Sequence, residues 1–245
     1  MKLYTLGTSH GATEKGRSCS VNLLEVSGSY YLFDCGGDAE AKLKDLGLEG
    51  AVRAIFLSHM HIDHVAGLPA LAKRYFLHYN KTGSYADVYF PEEEGIEPFF
   101  AWLRATHYSF KNPDAMKTHV IKEGEIYRDE HVSVTAIRTK HVSGGAYPSY
   151  AFMVEGEGKR FLYTGDLSPS FTDYPTVVFE RDFDLILSEL VHFDVEKNLP
   201  DIIRSKTKSL VFTHLGPSKI PIMKEKQGEI PFPVTIANDG DTFEF

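Results

Sequence analysis

Three histidines and one aspartate, His59, His61, Asp63 and His64, lie within six consecutive positions directly after an apolar run. Shuffling the composition of this chain would produce the pattern His-x-His-x-Asp-His in roughly one chain in a thousand. Side chains alternate in an extended segment, so His59 and His61 point the same way and can share one metal ion. Asp63 and His64 are adjacent and suit a second ion. The spacing therefore predicts a site for two metal ions.

Other side chains of the types that bind metals stand where strands are expected to end. His141, Asp166 and His214 each follow an apolar strand-like run, as His59 does. If these strands belong to neighbouring packed sheets, their ends converge on one cleft, and loops at such an edge commonly form sites. A lone histidine at a strand end more often has an ordinary polar role. Four such segments in series favour metal binding.

The chain alternates between strand-like and helical patterns. The strand-like runs cover 1–7, 30–35, 52–57, 87–90, 132–139, 150–154, 160–164, 185–187, 210–212 and 234–237. Helical patterns cover 39–46, 67–79, 98–106 and 200–205. Two sheets faced by helices accommodate this order. We find no short internal repeat, low-complexity segment or linker, and predict one domain over 1–245.

Composition limits the class of protein. A chain of 245 residues can bury enough surface for an enzyme without disulfide bonds. Its two cysteines form no Cys-x-x-Cys pair and favour a reducing compartment. The formal net charge is -8 without a basic tract, which disfavours large nucleic acids. We see no signal peptide or membrane-spanning run and expect a cytoplasmic protein with no membrane partner.

The metal-type residues, taken in order, resemble the complete ligand series of the metallo-β-lactamase superfamily. That resemblance implies an α/β fold, a four-layer αββα sandwich, with a dinuclear site between the sheet edges. It implies that three residues bind the first metal, namely His59, His61 and His141. It implies that three others bind the second metal, namely Asp63, His64 and His214, and that Asp166 bridges both. Asp34 matches an aspartate that orients a ligand or a loop without binding metal.

The reaction implied by this resemblance is hydrolysis. Two divalent ions can share a water molecule, lower its pKa towards neutrality and present hydroxide to an electrophile. Imidazole and carboxylate ligands suit Zn²⁺ and leave Mn²⁺ or Fe²⁺ open. The flavodiiron branch has an acidic residue where His61 stands and adds a flavin domain, so we do not expect oxygen reduction.

The beginning of the chain resembles the ribonuclease Z-like branch, which includes cyclic phosphodiesterases. The opening Gly7-Thr8 and the small-residue turn at 17–20 carry this resemblance. Members that process transfer RNA carry an RNA-gripping arm between the residues matching His141 and Asp166, where this chain has only 142–165. We therefore predict a phosphodiesterase for a small or cyclic phosphodiester. The alternatives are a hydrolase of thioesters, lactones or related carboxylic derivatives, and a non-enzymatic metal-binding protein.

Several further residues are candidates for the chemistry. His192 could protonate the leaving alkoxide, with Glu189 orienting it; otherwise His192 is a surface or helix-start residue and Glu189 a cap. Asp63 is also a catalytic candidate, because its replacement should abolish hydrolysis. His10 could contact a substrate phosphate, and Tyr147 borders the expected cleft. The oligomeric state stays open, with a homodimer as one option.

Overall fold

The structure is a computed structural model that describes residues 1–107 and 113–245, without the side chains of 78–82 and 113. Its strands in chain order are β1 Lys2–Gly7, β2 Val21–Val26, β3 Ser29–Phe33, β4 Val52–Phe56, β5 Ala86–Phe90, β6 Met116–Val120, β7 Gly124–Arg128, β8 Ser133–Arg138, β9 Tyr150–Gly156, β10 Lys159–Tyr163, β11 Leu185–Leu190, β12 Leu210–Leu215, β13 Val234–Ile236 and β14 Asp241–Glu244. Its α-helices are α1 Ala39–Asp45, α2 Ile62–Val65, α3 Leu68–Thr82, α4 Ile96–Ala105, α5 Val177–Glu180, α6 Val195–Ile203 and α7 Lys219–Lys226.

The strands form two mixed sheets. The first sheet has the order β14-β1-β2-β3-β4-β5-β6, and the second has the order β13-β12-β11-β10-β9-β8-β7. In the first sheet β3, β4, β5 and β6 are parallel. In the second sheet β10, β11, β12 and β13 are parallel. Parallel neighbours end at the same edge of a sheet, so residues that follow them come close together.

Both sheets are buried on both faces, as the continuous apolar runs of their central strands require. In β3 and β4, Leu32 and Ile55 pack towards α1, α3 and α4, whereas Phe33 and Phe56 enter the layer between the sheets. The rings of Phe33 and Phe56 stack with centroids 5.2 Å apart. This alternation follows directly from the two-residue period of a strand.

The second sheet repeats this arrangement. In β10, Phe161 and Tyr163 face the inner layer, and Leu162 faces the apolar cluster formed with α5, α6 and α7. Helices therefore cover the outer face of each sheet, which confirms the predicted αββα sandwich. None of the helices in the described ranges is both long and apolar enough to cross a membrane.

Several predicted element bounds were wrong. β12 continues to Leu215, so His214 lies within a strand instead of after it, and β11 continues to Leu190, so it contains Glu189. The predicted strands stopped too early because the polar residues Glu189 and His214, expected in loops, are buried within the sheet. Helix α6 begins after its N-cap Asp194, well before the predicted start at Pro200. The sequence reading also omitted several elements, namely β2, β6, β7, β14, α2, α5 and α7.

Candidate metal centre

The candidate residues meet at one edge of the sandwich, where loops follow parallel strands. His59 and His61 follow β4, and the short helix α2 turns the chain so that Asp63 and His64 face the same cleft. His141 follows β8 and Asp166 follows β10. The packing of the two sheets thus brings together side chains that are far apart in sequence.

His59, His61 and His141 form the first cluster. Their ring centroids are 4.4 Å apart for His59 and His61, 4.8 Å for His59 and His141, and 4.9 Å for His61 and His141. The Nδ1 atom of His61 lies 3.2 Å from Nε2 of His141. One ligand atom from each residue can therefore reach a common ion.

Asp63, His64 and His214 form the second cluster. The Oδ2 atom of Asp63 lies 3.4 Å from Nε2 of His64 and 3.8 Å from Nε2 of His214. The backbone N–H of Gly11 donates a 2.8 Å hydrogen bond to Asp63 Oδ2. The loop after β1 therefore fixes this carboxylate through its backbone.

Asp166 stands between the two clusters. Its Oδ2 atom lies 3.2 Å from Nε2 of His214 and 3.4 Å from Nε2 of His64 on one side. On the other side it lies 3.6 Å from Nε2 of His141 and 3.7 Å from Nε2 of His59. A single oxygen atom that faces both clusters has the geometry of a bridging ligand.

Asp34, at the end of β3, sets the tautomers of one histidine in each cluster. Its Oδ2 accepts hydrogen bonds from His64 Nδ1 at 2.7 Å, from Ser58 Oγ at 2.9 Å and from Tyr163 OH at 2.6 Å. The Ser58 hydroxyl proton points to Asp34, so Ser58 Oγ accepts from His59 Nδ1 at 3.0 Å. With Nδ1 bonded in this way, both imidazoles direct Nε2 into the centre, the usual arrangement for histidine ligands.

Two candidate residues have strained backbones. Asp34 has φ of 62° and His214 has φ of 49°, in the left-handed region that non-glycine residues rarely adopt. His214 lies at an irregularity in the register of β11 and β12, where Glu189 pairs with Thr213 but Leu190 pairs with Leu215. A bulge re-aims one side chain out of the strand pattern. Here it turns His214 towards Asp63 and Asp166.

The chemistry of the buried donors fits divalent cations. Among the described residues, His59 Nε2, His64 Nε2 and Asp166 Oδ1 are buried without a hydrogen-bond partner. Burial, with the charge of His64, holds the pKa of His59 well below its ordinary value and keeps it neutral, the form that binds metals. Burial raises the pKa of Asp166, but the charges of His214 and His64 outweigh burial and hold it well below its usual range. A neutral His59 imidazole and an ionised Asp166 carboxylate, both with buried unpartnered atoms, suit a cation.

His192 and Glu189 lie beside this centre. His192 Nδ1 donates a 3.0 Å hydrogen bond to Glu189 Oε1 and lies 3.8 Å from Asp166 Oδ2. Burial lowers the pKa of His192, but the hydrogen bond and charge of Glu189 outweigh burial and raise it above its ordinary value. The buried Glu189 carboxylate also accepts from the backbone N–H groups of Leu167, Val191 and His192. It therefore holds both the loop of Asp166 and the loop of His192.

Two further residues, His10 and Tyr147, are candidate substrate contacts. The ring of His10 is 6.5 Å from that of His214, and its Nδ1 lies 3.7 Å from Glu14 Oε1. Tyr147 is 57% exposed on the segment after His141. His10 thus lies beside a candidate ligand, whereas Tyr147 is known only to be exposed, and contact of either side chain with a substrate stays a prediction.

Sequence reasoning missed three residues that support the centre. Ser58 and Tyr163 bind Asp34, and Asp173 accepts backbone hydrogen bonds from Lys140 and Ser168. Ser58 adjoins the histidine cluster and could have been found from that position. The partners of Tyr163 and Asp173 are set only by the packing of distant segments.

A comparison with known protein families identifies the family to which the chain belongs. The model of the family described as Anti-Pycsar protein Apyc1 matches residues 1–232. The chain belongs to this family. The Apyc1 match covers every candidate ligand from His59 to His214.

The chain is also similar to curated proteins named ribonuclease Z. Ribonuclease Z of Shouchella clausii (strain KSM-K16) is 34% identical over 164 residues, which are 65% of this chain and 49% of that protein. The chain spans about half the length of the curated relatives it matches.

Solved structures resemble this member of the Apyc1 family over almost its whole length. The metallo-beta-lactamase fold protein YhfI from Bacillus subtilis has a TM-score of 0.80 at 21% identity and covers 99% of both chains. Human tRNase Z, short form (ELAC1), has a TM-score of 0.77 at 22% identity and covers 100% of this chain and 99% of its own. The chain therefore has the metallo-β-lactamase fold that the sequence predicted, and the curated relatives reported above are ribonuclease Z proteins.

Proposed function

We propose that the protein is a dinuclear metal-dependent phosphodiesterase that acts on a small or cyclic phosphodiester. The observation that carries this proposal is the position of Asp166 Oδ2, within 3.8 Å of histidine nitrogens from both clusters and from His192. This arrangement supports two cations beside an imidazole that is not needed as a ligand. Such an imidazole suits a reaction whose leaving oxygen requires a proton.

The proposed ligand sets follow the two clusters. His59, His61 and His141 would hold the first ion, Asp63, His64 and His214 would hold the second, and Asp166 would contribute to both. The imidazole and carboxylate donors favour Zn²⁺, with Mn²⁺ and Fe²⁺ as alternatives. When bound, two such ions activate water at neutral pH and stabilise charge on the oxygens of a phosphate. The catalytic role of Asp63 is to hold the second ion in place.

His192 and Glu189, which lie beside the proposed ions, would supply the proton for the leaving oxygen and orient its donor. Glu189 orients His192 through two hydrogen bonds, one to its backbone N–H and one to its ring. With Nδ1 bonded to Glu189, the Nε2 atom of His192 is the group available to donate a proton. A raised pKa keeps the ring protonated to higher pH, as a general acid requires.

The compact segment after His141 supports a small substrate. A single turn, Val142–Gly145, follows His141, and β9 begins at Tyr150. The chain between His141 and Asp166 then consists mainly of the β9–β10 hairpin, which lies within the second sheet. We therefore propose small phosphodiesters as substrates. We also propose the cytoplasm as the location, because Cys19 and Cys35 are free thiols, as a reducing compartment favours.

A substrate panel tests the reaction class. Zinc-loaded protein should hydrolyse bis-p-nitrophenyl phosphate and at least one cyclic nucleotide, and a chelator should abolish both activities. Product release is followed by absorbance and by chromatography. Hydrolysis of thioesters or lactones without any cleavage of phosphodiesters would instead support the alternative class of hydrolase.

His192→Ala should lower kcat by about 10²-fold for a phosphodiester with a poor alkoxide leaving group, because the leaving oxygen loses its proton donor. For bis-p-nitrophenyl phosphate the loss should stay below about tenfold, because nitrophenolate leaves without protonation. The two kcat values are compared at saturating substrate.

His131→Ala is the matched control for His192→Ala. The side chain of His131 is 25% exposed, close to the 28% of His192, and lies before β8 at the opposite edge of the sheets. This variant should keep wild-type kcat on both substrates. Equal losses for both leaving groups in His192→Ala would show that His192 supports structure and is not the acid.

A further inference from the structure

The peptide unit that joins Leu167 to Ser168, directly after Asp166, is hydrogen-bonded on both sides. Its carbonyl accepts from His141 Nδ1 at 3.1 Å. Its N–H donates to Asp173, at 3.1 Å from Oδ1 and 2.9 Å from Oδ2. Since a carbonyl oxygen only accepts, His141 must carry its proton on Nδ1, which leaves Nε2 free to face the centre.

Asp173 also holds the backbone that precedes His141. The N–H of Lys140 donates a 2.7 Å hydrogen bond to Asp173 Oδ2, and Ser168 Oγ donates a 2.7 Å hydrogen bond to Oδ1. Asp173 is 7% exposed. One buried carboxylate therefore joins the loop of His141 to the loop of Asp166.

We propose that Asp173 is a positioning residue for the metal centre. It fixes the tautomer and orientation of His141 through the Leu167–Ser168 peptide, and it fixes the separation of His141 from Asp166. The inference rests on the proposed ligand roles of those two residues.

The physical basis is the strength of bonds to a buried anion. Hydrogen bonds to a carboxylate are about twice as strong as those between neutral groups, and bonds in a chain polarise one another. The charge of Asp173 therefore strengthens the bond between the peptide carbonyl and His141. The groups of side chains able to hold an ion in the described ranges include His141 and Asp166 but not Asp173, so Asp173 acts through these residues.

Asp173→Asn tests the proposal because it preserves shape and removes the charge. An asparagine amide keeps one acceptor oxygen and turns its NH₂ group towards N–H donors of Lys140 or Ser168. We expect the zinc affinity of the site that contains His141 to fall by about 10–100-fold, with a smaller change at the site that contains His214. Competition between the protein and a chelating zinc indicator measures the zinc affinity of each site. The site that loses affinity in His61→Ala is the one that contains His141.

The matched control is Asp129→Asn. Asp129 is another largely buried carboxylate that accepts backbone hydrogen bonds, from His131 and Val132, but it lies at the opposite edge of the sheets. This variant should bind two zinc ions with wild-type affinity. Asp173→Glu restores the charge and should recover part of the lost affinity, and thermal unfolding verifies that each variant is folded.

The outcomes separate the two proposals. Weakened zinc binding in Asp173→Asn, with partial recovery in Asp173→Glu and none of this loss in Asp129→Asn, supports the positioning role. If wild-type protein binds two zinc ions and Asp173→Asn binds both equally tightly, the positioning role is wrong and the metal centre stands. If wild-type protein does not bind two zinc ions, both proposals are overturned.

Discussion

Asp166→Ala should lower phosphodiesterase activity by at least about 10³-fold, a larger loss than the one we predict for His192→Ala. Its Oδ2 faces nitrogens of His214, His64, His141 and His59 at 3.2 to 3.7 Å. Without this anion, two bound cations would lose the carboxylate between them, and Asp63 alone would offset their mutual repulsion. We also expect the zinc content to fall below two ions per chain.

Metal analysis of dialysed protein and steady-state kinetics measure the two effects of Asp166→Ala. Asp184→Asn is the matched control, because Asp184 is a carboxylate of low exposure that accepts from the backbone N–H of Arg160 at the start of β10, away from the centre. It should keep two zinc ions and near wild-type activity. An Asp166→Ala protein with two zinc ions and unimpaired activity would rule out the bridging role.

Asp34→Ala should destabilise the metal-free protein by about 3–5 kcal/mol, because it removes one partner of the buried pair with His64. Both side chains have no exposed surface, and the atoms that form the pair are 2.7 Å apart. Burial disfavours the charged form of His64, but the charges of Asp166 and Asp34 outweigh burial and raise its pKa well above the ordinary value. Removing Asp34 also leaves the buried hydroxyl groups of Ser58 and Tyr163 without this acceptor.

Guanidinium unfolding in excess chelator measures this loss of stability separately from any effect of bound metal. Tyr163→Phe removes a single donor to Asp34 and should cost only about 1 kcal/mol. With zinc restored, Asp34→Ala should bind both ions more weakly, because the tautomers of His59 and His64 are no longer fixed. A loss no larger than that of Tyr163→Phe would contradict the proposed importance of the buried pair.

The sequence predicted most of the layered fold because the central strands carry continuous apolar runs. Residues 52–57 and 185–187 were recognised as strands for this reason, and the structure contains β4 and β11 there. Edge strands such as β7 contain only exposed and half-buried residues, so they lack a strong apolar signal. The strand ends were misplaced where polar residues such as Glu189 are buried within the sheet.

The candidate ligands were identifiable from the sequence because metal binding demands particular side-chain types, and His59 to His64 place four of them together. The order of these residues along the chain also carried the resemblance to the metallo-β-lactamase superfamily, and the structure has the fold which that resemblance implied. Residue types and their order therefore determined which side chains were candidates and what chemistry they could support.

Only the tertiary structure decided how these side chains are held. The bulge at His214, the shared carboxylate of Asp34 and the link from Asp173 to His141 depend on contacts between segments far apart in the chain. A hydrogen bond of 2.7 Å requires two groups to be placed within a few tenths of an ångström, and local sequence patterns contain no such information. That precision arises because the two sheets pack against one shared apolar layer, which fixes their edges relative to each other.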